Sequence, residues 1–243
     1  MIALFTDFGL AGPYTGQVMA VLHRDAPGIP VVSLFADAPA AQPKPAAYLL
    51  AAYSAWFPAG TVLLCVVDPG VGSARRAAIA EADGRLYVGP DNGLFDIVMR
   101  HANEARLWEI AWRPAALSAT FHGRDLFAPV AARLAAGEPI AGFARRMADE
   151  SAARAWPDDL AEIVYVDRYG NAMTGLRGAL VPGAARLVVA GRMIEAAATF
   201  SAAPPGAAFW YINSNGLAEI AVNGARADTV LGLAIGTTVR IEA

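Results

Sequence analysis

The feature that most constrains the fold is the stretch TVLLCVVDPGVGSARR, Thr61 to Arg76. Thr61 to Val67 is an unbroken run of apolar and β-prone residues, the pattern of a strand buried on both faces in the middle of an α/β sheet. Asp68 ends the run, and Pro69 prevents the chain from continuing there as strand or helix. A carboxylate at the carboxyl end of a buried strand occupies the edge where open α/β sheets bind ligands. Gly70 and Gly72 permit backbone angles that other residues avoid, and Arg75 is far enough along the loop to fold back onto Asp68. Two readings follow: a site built on Asp68 and Arg75, or a structural ion pair closing a Gly-rich turn.

The segments around this strand extend the α/β pattern. Ile2 to Thr6 reads as a first strand that also ends in a carboxylate, Asp7, so two strands deliver aspartates to one edge. A helix opening at Pro13 and carrying Val18, Val21 and Leu22 on one face follows, and Pro27-Gly28 stops it. Val31 to Phe35 is a second strand. Residues 36–45 are predicted as a loop with three prolines. A second helix has Tyr48, Leu49, Ala52, Tyr53 and Trp56 as its core face. Asp83-Gly84 between Ala77 to Ala82 and Arg85 to Val88 signals a hairpin. Asp91 is placed to cap a helix over Leu94 to His101. Leu107 to Trp112 is extended, and a helix is expected over Leu126 to Ala136.

Of the three histidines, His23 and His101 fall late in helices, where a solvated cation suits the dipole. His122 lies in ATFHGRD, between Phe121 and Gly123 at a helix N-terminus, and is positioned to present its ring to a pocket. The other reading of His122 is a ring bonded to a backbone carbonyl. Arg124 and Asp125 read as a local pair.

At 243 residues the chain can form one large or two modest domains, each with its own core. A loop-like, charged stretch from Gly137 to Asp159 is the predicted boundary, dividing an α/β domain over 1–150 from a β domain over 160–243. In the second part, Glu162 to Val166, Arg186 to Ala190, Phe209 to Ile212, Leu217 to Val222 and Thr237 to Glu242 are short strands between Gly, Asn and Pro turns. They predict a smaller antiparallel β-barrel or sandwich. Its polar turns, 167–171 and 213–216, are explained equally well by turn chemistry.

Composition removes several classes of function. The net charge of −3 carries no nucleic-acid footprint. Apolar runs fall short of the roughly 18 residues of a membrane helix, and MIALFTDFG has neither basic n-region nor cleavage site, so a cytoplasmic protein is expected. Cys65, the single cysteine, lies inside the central strand as an inert core thiol. Lys44 is the sole lysine and stands outside any Gly-Lys-Ser/Thr phosphate loop. No HExxH or CxxC spacing suggests a metal.

Taken together, TDFG, VVDPGVGSARR, GPDNGLF and TFHGRDLFAP, followed by VDRYGNAMTG and NSNGLAEIAVN, resemble the S-adenosyl-L-methionine (SAM) hydroxide adenosyltransferases, relatives of fluorinase and chlorinase. The resemblance spans nearly the whole chain. It implies a largely parallel N-terminal sheet and a catalytic constellation of Asp68, Arg75 and His122 acting on water. It also implies Asp7 on the ribose hydroxyls, Phe121 along the adenosine pocket, and Asp167, Asn171 and Ser214 on the adenine and methionine moieties. Asn215 and Glu219 belong to the same block. The resemblance further implies SAM as the substrate, no cofactor, and a homotrimer with sites between subunits.

This chain departs from its relatives in three places. FADAPAAQPKP stands where they carry a histidine-containing segment, and Thr174-Gly175 stands where they read Thr-Asn. Gly123 stands where halogenating relatives offer a serine hydroxyl to the halide.

The residue types suit attack of water at C5′. The leaving group is a neutral thioether, so activating water, whose pKa is about 15.7, is the difficulty. A histidine and an aspartate can accept protons and an arginine can stabilise developing negative charge, though residue types alone leave open which group takes the proton. Three other readings compete: a chlorinase-like halogenase, a non-catalytic SAM- or adenosine-binding protein, and a metal-dependent hydrolase on Asp7, Asp68, His122 and Asp125.

Overall fold

The computed structural model describes residues 1–147 and 154–242 and divides into two compact units, Met1–Ala155 and Trp156–Ala243. The first unit is built on a seven-stranded sheet in the order β2-β1-β3-β5-β4-β6-β7. Its strands are β1 (Ile2–Thr6), β2 (Val31–Phe35), β3 (Val62–Val66), β4 (Ala77–Ala82), β5 (Arg85–Pro90), β6 (Ala105–Ile110) and β7 (Ala144–Arg146). β2, β1, β3 and β5 pair in parallel, while β4, β6 and β7 extend the sheet through antiparallel pairs. The sheet is therefore mostly, but not wholly, parallel.

The run from Thr61 to Val67 is fully buried, as its sequence requires. Alternation along β3 sends Val62, Leu64 and Val66 to one face, against Val18 and Leu22 of α1 (Tyr14–Asp25) and the apolar residues of α4 (Ala128–Ala135). The opposite face carries Phe5, which meets Phe35 at 5.3 Å between centroids. Phe35 in turn meets Tyr53 of α2 (Pro43–Ser54) at 4.9 Å. The β4–β5 hairpin turns on Asp83 and Gly84, both with positive φ, as the Asp-Gly signal foretold.

Several local expectations need correction. α2 begins at Pro43, inside the predicted loop, because Pro43 and Pro45 occupy the first turn, where a missing N–H costs nothing. Trp56 is 70% exposed rather than core: α2 ends at Ser54, and Arg85 holds the following turn through the carbonyls of Ala55 and Phe57, so helical phase does not reach Trp56. Asp91 caps no helix; it pairs with Arg76, and α3 spans Asp96–His101. β7 lies within the stretch expected to be loop. The part of that stretch covering 148–153 falls outside the described residues.

The second unit is a seven-stranded sheet ordered β14-β10-β11-β12-β13-β9-β8. Its strands are β8 (Leu160–Val166), β9 (Ala172–Arg177), β10 (Arg186–Val189), β11 (Arg192–Ala196), β12 (Ala208–Ile212), β13 (Leu217–Val222) and β14 (Val239–Glu242). A bridge between Glu162 and Thr238, flanked by bonds joining Ile163 to Thr237 and Gly236, brings the two edges together into a near-barrel. The sheet is not purely antiparallel, because β11 and β12 pair in parallel. β9 and β11 had no sequence signal. β11 follows a tight turn at Ala190-Gly191, both with positive φ, where alanine replaces the usual Asn or Asp.

Gly89, on β5, carries a sharp steric requirement. A Cβ there would lie 2.0 Å from the Cys65 carbonyl oxygen and 3.2 Å from the Phe95 ring. Gly89→Ala is expected to destabilise the chain by about 3 kcal/mol through overpacking, seen as a lower urea midpoint at unchanged slope.

Candidate active site

The site forms where β1 and β3 end. The two strands pair in parallel with Thr6 opposite Val66, and the Asp7 N–H donates to the Val66 carbonyl at 3.3 Å. Asp7 and Asp68 thus emerge side by side at the carboxyl edge, as the sequence predicts. After Asp68 the chain turns tightly: Val71 N–H donates to the Asp68 carbonyl, and Ser73 N–H and Oγ both donate to the Gly70 carbonyl. Ser73 Oγ also accepts the Arg75 N–H at 3.2 Å, which fixes where the Arg75 side chain begins.

Arg75 folds back onto Asp68. Its Nε donates to both carboxylate oxygens at 2.9 and 3.0 Å, and Nη2 makes a further short bond to Oδ2. The two side chains are only 4% and 11% exposed, so this pair is nearly dry. Nη2 also lies 3.1 Å from Nδ1 of His122, and the guanidinium stacks on the Phe127 ring at 5.1 Å. Asp68, Arg75 and His122 are therefore one continuous hydrogen-bonded chain.

His122 is held from the other side of the pocket. It precedes a π-helical turn, Gly123–Phe127, that leads into α4. Pro129 offers no N–H to the ladder, and the turn before it widens so that Ala128 N–H bonds the Gly123 carbonyl. Gly72, at φ +77°, lets the loop bearing Arg75 touch the segment bearing His122; a Cβ there would sit 2.5 Å from the Ala119 carbonyl oxygen. Burial first, and the Arg75 charge second, hold the His122 pKa below its ordinary value.

These groups line a pocket of about 120 Å³ with Asp7, Phe8, Ala41, Asp68, Phe121 and His122 on its walls. Asp7 Oδ2 accepts the Ala41 N–H at 2.8 Å, and burial raises its pKa against that bond. Phe8, Tyr14 and Phe121 form an aromatic wall with centroids 5.3 to 6.1 Å apart. Gly123 fits beneath it; a Cβ there would approach Phe8 to 3.0 Å and Phe121 to 3.3 Å. Arg124 and Asp125 form the expected local pair, and Asp125 also accepts the Ser118 N–H. Phe8, Tyr14, Phe127 and Asn92, whose Nδ2 donates to the Val67 carbonyl, were missed in the sequence. Phe8, Asn92 and Phe127 fall inside the TDFG, GPDNGLF and TFHGRDLFAP motifs, whereas Tyr14 had no signal there.

In the second unit the polar turns gather around β13 and β9. Asp167 accepts the N–H groups of Tyr169 and Asn171 and the Asn171 side-chain amide, so turn chemistry accounts for its contacts. Glu219 is 2% exposed and is held by Tyr211 Oη and, at 2.7 Å, Asn213 Nδ2. Asn213 Oδ1 accepts the N–H groups of Asn215 and Leu217, which ties the turn bearing Ser214 to Glu219. Tyr211 and Asn213 also escaped the sequence reading.

Comparison with known proteins follows the same division. Residues 2–144 match the SAM hydroxide adenosyltransferase N-terminal domain and residues 161–240 the C-terminal domain. A protein of Thermus thermophilus named (R)-S-adenosyl-L-methionine hydrolase is 42% identical over 99% of this chain and 98% of its own. One of the same name from Salinispora arenicola is 40% identical over 100% and 97%. The crystal structure of an uncharacterized conserved protein from Thermotoga maritima superposes with a TM-score of 0.91 at 30% identity, covering both chains fully. The chain belongs to the SAM hydroxide adenosyltransferase family.

Burial raises the Glu219 pKa, with the charge of Asp167 adding to it. A carboxyl raised on folding binds more protons in the folded state, so its contribution is complete below the unfolded value and is lost as pH rises through the folded one. Glu219→Gln removes that loss. Its stability relative to the parent chain should improve from acidic to neutral pH, measured by urea unfolding across that range.

Proposed function

We propose that this protein hydrolyses S-adenosyl-L-methionine to adenosine and L-methionine, water attacking C5′ in line with the departing sulfur. The reading rests above all on the unbroken Asp68–Arg75–His122 chain opening onto the pocket. Full-length similarity to proteins named (R)-S-adenosyl-L-methionine hydrolase supports the substrate and points to its (R) sulfonium form.

The water oxygen forms a bond to C5′, the C5′–S bond breaks, and its electron pair leaves as the methionine thioether. One proton of the water is released. No acid is needed for a neutral leaving group, and SAM is the substrate, so no cofactor takes part. Arg75 lies away from the sulfonium, on the side of the incoming oxygen. Asp7 holds the ribose hydroxyls and Phe121 the adenosine. Asp167, Asn171, Ser214, Asn215 and Glu219 serve the adenine and methionine moieties. The family resemblance supports a homotrimer with each site completed by a neighbouring subunit, and the net charge of −3 favours a protein without nucleic-acid partners. No helix among the described residues is long and apolar enough to cross a membrane.

Gly123 weighs against the halogenase reading. It supplies no hydroxyl for a halide, and Phe8 and Phe121 leave no easy room for a serine Cβ. A desolvated anion beside Asp68 and Asp7 would also be costly.

Incubation with SAM in ¹⁸O-labelled water should yield L-methionine and adenosine labelled on the 5′ oxygen. 5′-Chloro-5′-deoxyadenosine as the main product in chloride buffer would instead establish a halogenase, and intact SAM a binding protein. Single alanine replacements of Asp68, Arg75 and His122 should each lower kcat about 10²-fold or more, without adding when combined; Asp7→Ala should chiefly raise KM. Sedimentation should give a trimer, and an active monomer at micromolar concentration would reject the shared site.

A further inference from the structure

Arg75 and His122 meet in a way that fixes the protonation of the imidazole. A guanidinium carries only donors and keeps its proton throughout the accessible pH range. Arg75 Nη2 lies 3.1 Å from His122 Nδ1, so Nδ1 must offer a lone pair. Its sole proton then sits on Nε2. A ring turned over by 180° would put a carbon against Nη2 and lose the bond. An imidazolium would set N–H against N–H beside a full positive charge.

This tautomer has a consequence for the chemistry. Nδ1 is occupied by Arg75, and Nε2, being protonated, has no free lone pair. The neutral ring therefore has no site left to receive a proton while the Arg75 contact stands. Nε2–H has no partner among the described residues, and His122 lines the pocket. Of the two carboxylates on the pocket wall, Asp7 is the one assigned to the ribose in the function proposed above, on which this step rests. Asp68 remains. Its Oδ2 accepts from both Nε and Nη2 of Arg75, whereas Oδ1 accepts only from Nε and retains a second lone pair.

We infer that Asp68 is the proton acceptor for the attacking water, and that His122 acts as a hydrogen-bond donor through Nε2 that positions the water oxygen. Water attacks as the neutral molecule. As the C5′–O bond forms and the C5′–S pair departs, the oxygen becomes a strongly acidic oxonium, which even a weakly basic carboxylate deprotonates. The proton passes to Asp68 and then to solvent. Arg75 holds the Asp68 carboxyl group in place and His122 in the donating tautomer at once.

Glutamine, asparagine and alanine replacements separate this from histidine as base. A glutamine amide can donate at the Nε2 position but accepts no proton near neutrality. His122→Gln should keep kcat within about tenfold of the parent and lose any limb of the pH profile belonging to an imidazole, while Asp68→Asn should lose about 10³-fold. Nearly parental turnover in Asp68→Asn with His122→Gln as inactive as His122→Ala would overturn the assignment. SAM binding and thermal unfolding identify any variant that fails to fold.

An independent measurement uses the unaltered protein. ¹⁵N–¹H correlation spectra of the imidazole, at mildly alkaline pH, should show Nε2 protonated and Nδ1 bare; the opposite tautomer would overturn the inference without any variant. Absence of adenosine from the parent protein would refute SAM hydrolysis itself, whereas the tautomer would stand or fall by the spectra alone.

Discussion

The ion pair between Asp68 and Arg75 is the contact on which the first unit's pocket depends. Exposed pairs of this kind contribute little. Here both partners are almost excluded from water, the carboxylate is gripped by two nitrogens, and the guanidinium has an aromatic ring beneath it. Removing either partner would strand a buried charge, a far larger penalty than the pair's own net worth. The loop from Pro69 to Ser73 exists to bring these side chains together, and its internal bonds hold the backbone in the required turn.

Much of the α/β framework was legible because buried parallel strands announce themselves as apolar runs. β1, β2 and β3 agree with their sequence signals, and the aspartates after β1 and β3 arrive at one edge because the two strands pair in parallel with Thr6 opposite Val66. Asp68, Arg75 and His122 could be nominated individually and joined through family resemblance. Their contact could not be read, because it depends on side chains from segments 47 residues apart. Phe127 was invisible for the same reason: an apolar residue in a helix gives no sign that its ring will meet a guanidinium.

The failures are local and have physical causes. Helical periodicity was carried through Trp56, although the backbone there is governed by Arg85 from a distant strand. β9 and β11 have few β-branched residues and owe their extension to neighbouring strands, the usual way in which tertiary context outweighs propensity. Polar turns in the second unit looked interchangeable in sequence. Burial distinguishes them, since Glu219 is almost wholly enclosed while Ser214 is exposed.

The π-helical turn after His122 adds a constraint of a different kind. Each residue of a helix rotates the chain by about 100°, so losing one residue between Gly123 and Phe127 would leave α4 anchored by its apolar face and swing the imidazole away from Arg75. Substitution can explore this segment one side chain at a time, but a change of length cannot be absorbed locally.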